Sequence, residues 1–141
     1  MKKAIVLASA IMAFVSCGSI APVRVSAGDQ CVRCRRTIQE VNLAGELVYS
    51  RGLVEKFRAP GCMAKYVASY PDADRDAYVT DYTSGRFVKA SSASYVPVLL
   101  NRDTGETDYR AYKVEAEAAA AARELHTTVV DWQTVVARAR S

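Results

Sequence analysis

The sequence predicts an α+β fold made of two related β-β-α-β units, in which helices pack on antiparallel sheets. Short runs of Val, Leu and aromatic residues alternate with turn-forming residues, which is the pattern of consecutive β-hairpins. A helix pattern follows each of two strand ends, at Phe57 and at Tyr112, and a strand pattern follows each helix. The two halves therefore repeat one order of elements within a single domain.

The first unit opens with a hairpin and a helix. Residues 46–50 and 53–57 flank Arg51-Gly52, whose glycine suits a tight turn. Pro60 suits the first turn of the helix that follows. Pro71 ends this helix near residue 70, because proline cannot continue it.

Two further hairpins, a second helix, a strand and a third helix complete the prediction. The hairpins join residues 77–82 to 86–90 through 83–85, and residues 95–100 to 109–114 through 101–105. Residues 115–125 are rich in Ala and Glu and predict a helix, since Ala has the best helix propensity. Residues 127–130 are largely β-branched and predict a strand, and Asp131 can cap a last helix through Arg140.

The first 16 residues have the pattern of a secretory signal peptide. A basic start is followed by an almost wholly apolar stretch, residues 4–15, which is shorter than the roughly 20 residues that span a bilayer. Ser16-Cys17-Gly18 resembles the lipobox of bacterial lipoproteins, so we predict lipidation of Cys17 and a tether over residues 17–28. Cleavage after Ala27 is the alternative, and it would remove Cys17.

A glycine directly after the lipidated cysteine is typical of lipoproteins sorted to the outer membrane, so we expect a protein anchored there and facing the periplasm. Removing residues 1–16 takes away two lysines and no acid, which lowers the net charge from +4 to +2. This small excess argues against a nucleic-acid partner. The remaining chain suits one domain over residues 29–141, with units at about 29–84 and 85–141.

Cys31 and Cys34 are three positions apart, so their thiols can meet one metal ion or each other. In an exported protein the pair could instead form a small-loop disulfide or a redox-active pair. Three cysteines remain after Cys17, an odd number that a purely disulfide-stapled fold would not use. Structural zinc would need a second Cys/His pair, whereas Cu(I) is content with two or three thiolate or thioether ligands.

Cys62 lies in the first turn of the predicted helix, where the helix dipole favours a thiolate. Met63 is the one methionine outside the leader and a candidate thioether ligand, although it also lies on the apolar stripe of the helix. A buried, non-ligating Cys62 is equally compatible with the pattern. His126 follows the Ala-rich helix and is explained by capping more simply than by metal binding. No catalytic triad or phosphate-binding loop is present in the sequence, so no enzyme is predicted.

Four segments in order give the chain its resemblance to the NosL family. They are Cys31-Val32-Arg33-Cys34, Phe57-Arg58-Ala59-Pro60-Gly61-Cys62-Met63, Tyr78-Val79-Thr80-Asp81-Tyr82, and Phe87-Val88-Lys89-Ala90 through Tyr95-Val96. The resemblance spans most of residues 29–130. It implies a lipoprotein of two β-β-α-β units that binds Cu(I) and delivers it to the copper enzyme nitrous oxide reductase through an accessory membrane transporter complex.

Two departures from the family pattern affect the predicted site. The family usually has Gly-Met after the second cysteine, where this chain has Arg35-Arg36, and a Pro-Met-Gly stretch in its second half, which is absent here. A copper site would then use Cys31, Cys34, Cys62 and Met63. Nearby arginines would offset the negative charge of its thiolates.

Three hypotheses follow, and the first is a lipid-anchored Cu(I) carrier for an exported copper enzyme. The second is a structural or interaction lipoprotein with a Cys31–Cys34 disulfide. The third is a thiol-disulfide oxidoreductase, which is weakened because the pair does not open a helix after a strand, the placement found in thioredoxin-like folds.

Overall fold

The computed structural model describes residues 20–71 and 74–141, and these residues form antiparallel sheets with three α-helices. The strands are β1 (Gly45–Tyr49), β2 (Val54–Phe57), β3 (Arg75–Thr80), β4 (Phe87–Lys89), β5 (Ser94–Asn101) and β6 (Glu106–Tyr112). The helices are α1 (Pro60–Ser69), α2 (Glu115–Glu124) and α3 (Trp132–Ala139). The predicted α+β class is confirmed.

Four strands form the first sheet, in the order β2-β1-β3-β4 and antiparallel throughout. Gly45 of β1 faces α1, because a Cβ at Gly45 would lie 3.2 Å from the sulfur of Met63. Alternation along the strand therefore turns the neighbouring Glu46 to the opposite face, away from the helix. Strand β4 completes this sheet, although it follows the predicted boundary between the two units.

Strands β5 and β6 form a separate two-stranded sheet. Asp81, just after β3, connects the two sheets: it forms a parallel bridge with Ala111 and accepts a hydrogen bond from the Lys113 backbone at 2.9 Å. The Tyr82 N–H donates to the Ala111 carbonyl at 2.8 Å. Backbone pairing thus fixes the two sheets against each other.

The main core lies between the first sheet, α1 and α3. Its largest fully buried side chains include Leu47, Phe57, Met63, Tyr95 and Val135. A smaller cluster forms beneath α2 and contains Val96, Tyr112, Ala118 and Ala122. The helix that starts with Pro60 is therefore held from two sides, by the sheet and by α3.

All three predicted helices are confirmed, including the cap of α3, where Asp131 accepts a hydrogen bond from the Thr134 N–H at 2.8 Å. The predicted strand over residues 127–130 is wrong. Only Val130 pairs, in a single bridge with Tyr95. Thr127 instead donates its N–H to the Ala122 carbonyl at 2.9 Å and closes the end of α2.

The last residues of the predicted tether pack on the domain. Val25 is 5% exposed and belongs to the main core, and the Arg24 carbonyl accepts a hydrogen bond from Lys56 at 3.3 Å. The predicted signal peptide and Cys17 lie outside the described residues. Within those described, no helix combines the length and apolarity needed to cross a membrane.

Candidate metal centre

Cys31 and Cys34 lie in a short loop that closes on itself. The Ile38 N–H donates to the Asp29 carbonyl at 2.7 Å, and the Cys31 N–H donates to the Arg36 carbonyl at 3.0 Å. The loop is fixed to strand β2 by the Val32 N–H, which donates to the Lys56 carbonyl at 2.9 Å. These bonds hold both thiols over one end of the first sheet.

Arg35 closes the turn with a left-handed backbone, at a φ of 61°. This conformation costs a residue with a side chain about 1 kcal/mol or more, whereas glycine adopts it freely. Arg35 follows Cys34, the position at which the NosL pattern has its glycine. The backbone of the turn therefore has the shape that a glycine would favour, even though the side chain has changed.

Cys62 is placed by the start of α1. Pro60 occupies the first helical position, and the Gly61 N–H donates to a carboxylate oxygen of Asp108 on β6 at 2.7 Å. Asp108 also accepts a hydrogen bond from its neighbour Tyr109 at 2.8 Å. A Cβ at Gly61 would lie 2.9 Å from both Asp108 oxygens, so the close approach of carboxylate and helix requires glycine.

The loop and the helix bring three thiols together. The sulfurs of Cys31, Cys34 and Cys62 all lie within 4.8 Å of one another, and those of Cys31 and Cys62 are 3.4 Å apart. Cys31 is wholly buried, Cys62 is 7% exposed and Cys34 is half-buried. All three are free thiols, so the Cys31–Cys34 disulfide that was the alternative to a metal site is not formed in this structure.

This arrangement fits a soft metal ion. Sulfurs bound at about 2.3 Å to a central ion, the usual zinc–thiolate length, would lie about 4 Å apart in a planar trigonal site. The three thiols are already close to that spacing and need only small side-chain shifts. Three thiolates also form a soft ligand set, which favours thiophilic ions such as Cu(I) and Zn²⁺ over hard ions such as Mg²⁺ and Ca²⁺.

The negative charge of the cluster resides on Cys31. A hydrogen bond from the Cys62 thiol, together with backbone N–H groups of Cys34 and Arg58, lowers the pKa of Cys31 to about 4 although burial opposes this. The same hydrogen bond to Cys31, followed by burial, raises the pKa of Cys62. The sequence favoured a thiolate at Cys62 from its position at the helix start, whereas the raised pKa keeps this thiol protonated.

A cavity of about 410 Å³ opens beside the cluster and is lined by Cys34 and Cys62. Most of its charged lining is basic: Arg33, Arg36, Arg58, Lys65 and Arg138, against Glu106 and Asp108. Glu106 binds Arg36 at 2.8 Å and also pairs with Arg58. The Arg36 guanidinium holds the pKa of Glu106 below its ordinary value.

Two predicted candidates have other surroundings. Met63 is wholly buried, and its thioether packs beneath Gly45 of β1. His126 is exposed and has a φ of 53°, and its N–H donates to the Arg123 carbonyl at 3.3 Å. It therefore ends α2 in the left-handed position of a Schellman cap. The cluster found among His, Cys, Asp and Glu in the described ranges contains the three cysteines alone.

The polar residues around the thiols were not predicted from the sequence. Asp108, Glu106 and Lys65 have no motif of their own, because they reach the site only when β6 and α1 pack together. Arg58 could have been suspected near the site, because it directly precedes the Ala59-Pro60 start of α1, the helix that contains Cys62. Arg138 lies in a helix that was predicted, but its position beside the thiols depends on how α3 packs against α1.

The fold is similar to that of a solved protein described as a copper chaperone. The crystal structure of the copper chaperone NosL from Shewanella denitrificans matches with a TM-score of 0.64 over 82% of this chain and 96% of that chain, at 15% sequence identity. At this identity the match shows a NosL-like fold. No protein-family model matches the chain, and no curated protein matches it at the sequence level.

Proposed function

We propose that this chain is a Cu(I) carrier that binds one copper ion through Cys31, Cys34 and Cys62. The observation that supports this proposal best is the meeting of three free thiols within 4.8 Å beside an open cavity. Soft thiolates favour Cu(I), and a half-buried third ligand leaves a path for exchange. The similar fold of a protein described as a copper chaperone supports the same choice.

The carrier would act without being an enzyme. Copper would leave by exchange of protein thiolates for the ligands of a partner, so no covalent bond of a substrate changes. We further propose that Cys17 is lipidated and keeps the domain at the outer membrane, facing the periplasm. There it would pass copper to an exported copper enzyme, such as nitrous oxide reductase, through a membrane accessory complex. Tethering would raise the local concentration of carrier near its client.

Anaerobic titration of the reduced protein with Cu(I), in competition with a chromophoric Cu(I) chelator, tests the proposal. We expect one tightly bound ion per chain and loss of that binding in the Cys31→Ser/Cys34→Ser variant. Serine keeps the size of the side chain but offers a harder, neutral oxygen. If the double variant competes as well as the wild type, the copper assignment fails.

Two single variants test whether Cys62 and Met63 each bind the copper ion. Cys62→Ser should weaken binding about tenfold or more, equivalent to about 1.4 kcal/mol, because it removes one of the three sulfurs. Met63→Leu conserves volume and should change the free energy of unfolding by less than about 1.5 kcal/mol. If Met63 only packs beneath Gly45, its replacement leaves the copper affinity unchanged. Weaker binding would assign the thioether to the site.

A further inference from the structure

The basic cavity gives access to the thiol cluster. Cys31 is wholly buried and does not line the cavity, whereas Cys34 and Cys62 do. Cys34 is the most exposed of the three. If the proposed function holds, a ligand that enters the cavity therefore meets the metal on the side of Cys34.

Three of the five basic side chains that line this cavity have no oppositely charged partner among the described residues. Glu106 is engaged with Arg36 and Arg58, and Asp108 accepts the Gly61 N–H at the start of α1. Arg33, Lys65 and Arg138 form no salt bridge within residues 20–71 and 74–141. All three are exposed. The entrance consequently presents three free cations.

These cations come from three different parts of the fold: Arg33 from the cysteine loop, Lys65 from α1 and Arg138 from α3. They are exposed, so solvent and salt screen their effect on the buried sulfurs. Their field extends into the solvent instead, where it acts on whatever approaches. Three cations spread around one opening match several carboxylates on a polypeptide better than a single small anion.

The cavity can hold part of a short peptide segment but is too small to hold a folded domain. About 410 Å³ lies in the range of small-molecule pockets and admits only a few side chains. We propose that the cavity docks an acidic segment of the copper-receiving protein, with a sulfur ligand of that segment between its carboxylates. This inference rests on the proposed function and specifies the kind of partner that takes the metal.

Two synthetic peptides test the docking without any metal. One has a central serine flanked by three aspartates on each side, and its twin has asparagine at the six flanking positions; both carry a fluorescent label. We expect the aspartate peptide to bind the reduced, metal-free protein in a fluorescence anisotropy titration, about tenfold or more tightly than its twin at low salt. Added sodium chloride should weaken the binding progressively.

Charge-reversal variants locate the binding. Arg33→Glu/Lys65→Glu/Arg138→Glu should lose the preference for aspartate. Arg51→Glu/Arg86→Glu/Arg123→Glu makes the same change of net charge at exposed cations outside the cavity lining and should retain it. Equal loss in both variants, or equal binding of both peptides by the wild type, would overturn the docking proposal.

Copper transfer gives the second readout. The aspartate peptide with cysteine at its centre should take Cu(I) from the loaded wild type about tenfold or more faster than from the cavity variant. If the cavity variant merely binds Cu(I) more weakly and still prefers the aspartate peptide, the cations serve the metal site and docking is refuted. A wild type that binds the aspartate peptide at the cavity but takes up no Cu(I) would refute the carrier function and leave the docking surface standing.

Discussion

At the scale of single residues, the chemistry of the site depends on where one proton resides. The sulfurs of Cys31 and Cys62 are 3.4 Å apart, so one thiol can donate to the other. Cys31 also accepts from backbone N–H groups, which makes it the better acceptor and lowers its pKa to about 4. Burial and the adjacent charge raise the pKa of Cys62. In the metal-free cluster, the Cys31 thiolate is therefore stabilised by hydrogen bonds from neighbouring groups of the protein.

This proton distribution gives a prediction for the metal-free protein. Cys31 should keep its thiolate as the pH falls from about 8 to about 5, because the lowered pKa, about 4, lies below that range. The ultraviolet thiolate absorbance of the wild type minus that of Cys31→Ser measures it. A folded pKa below the unfolded value stabilises the native state above the unfolded pKa, and this contribution disappears as the pH falls through about 4.

Cys62→Ala is the control for the same titration. It removes the S–H that donates to Cys31 and supplies no other donor, so the thiolate absorbance assigned to Cys31 should disappear at a higher pH than in the wild type. If the absorbance difference between wild type and Cys31→Ser is already lost near neutral pH, the negative charge does not reside on Cys31.

The sequence predicted which residues supply the sulfur but not how the sulfurs are ionised. Spacing alone indicated that Cys31 and Cys34 could share a metal, and the first turn of a helix was a reason to consider Cys62. The ionisation order depends on backbone N–H groups of Cys34 and Arg58 that point at Cys31. Those contacts exist only after the loop has folded against the β2–α1 connection, so no local pattern contains them.

At the scale of elements, the start of α1 is the part of the fold that fixes Cys62. The Asp108 carboxylate from β6 accepts the Gly61 N–H, one of the four at a helix start that have no partner within the helix. Gly61 leaves room for this carboxylate, which a methyl group would meet at 2.9 Å. Helix, strand and metal centre are therefore coupled through one hydrogen bond.

Substitutions on either side of this bond should weaken both the fold and the metal site. Asp108→Ala leaves the Gly61 N–H buried without its acceptor, and we expect a loss of about 1–3 kcal/mol in the free energy of unfolding. Gly61→Ala forces the carboxylate away and should have a similar effect. Urea denaturation measures the loss, and the Cu(I) competition titration measures the displacement of Cys62.

Asp108→Asn provides the matched control, because its amide oxygen can still accept the Gly61 N–H. It should retain most of the stability that Asp108→Ala loses. Two outcomes would contradict this account: an Asn variant as unstable as the Ala variant, or an Ala variant that binds Cu(I) like the wild type. In either case the carboxylate would not act by holding the helix start.

Most elements were predictable because their signals are local. Pro60 marked the first turn of α1, Ala and Glu marked α2, and Asp131 marked α3. The strand over residues 127–130 was predicted wrongly, because a β-branched composition favours an extended backbone but does not ensure that the segment pairs with another strand. Thr127 uses its N–H to cap α2, and His126 turns the chain with a φ of 53°, which leaves Val130 alone to pair with Tyr95.

At the scale of the whole molecule, the metal centre draws on residues far apart in the chain. The cysteine loop, the start of α1, β6 and α3 all contribute to the cavity, and their contacts arise only from tertiary packing. A resemblance carried by four short segments nevertheless led to the correct fold, because those segments lie in the loop, α1, β3, β4 and β5. The basic residues that line the cavity could not be predicted from these segments.

The opposite face of the first sheet contains a buried acid. Glu46 of β1 is wholly buried, and among the described residues neither of its carboxylate oxygens has a hydrogen-bond partner. This burial raises the pKa of Glu46 to about 7. The folded protein therefore holds a proton on Glu46 at a pH where the unfolded chain, with a pKa near 4.5, has released it.

Ionisation of Glu46 should destabilise the wild type relative to Glu46→Gln as the pH rises from about 5 to about 8. A raised folded pKa contributes stability that is complete below the unfolded pKa and is lost as the pH rises through about 7. Glu46→Gln is neutral at every pH, so the difference between its urea midpoint and that of the wild type should grow in favour of the variant across this range. Glu124→Gln, on the exposed side of α2, should behave like the wild type.

Asp29 and Asp81, with lowered pKa values, act at more acidic pH. The lowered pKa of Cys31 acts against Glu46 in this range and the raised pKa of Asp108 acts with it, but both are common to wild type and variant, so the difference between the two proteins isolates Glu46. An equal pH dependence in wild type and Glu46→Gln would show that this carboxylate is not buried in solution.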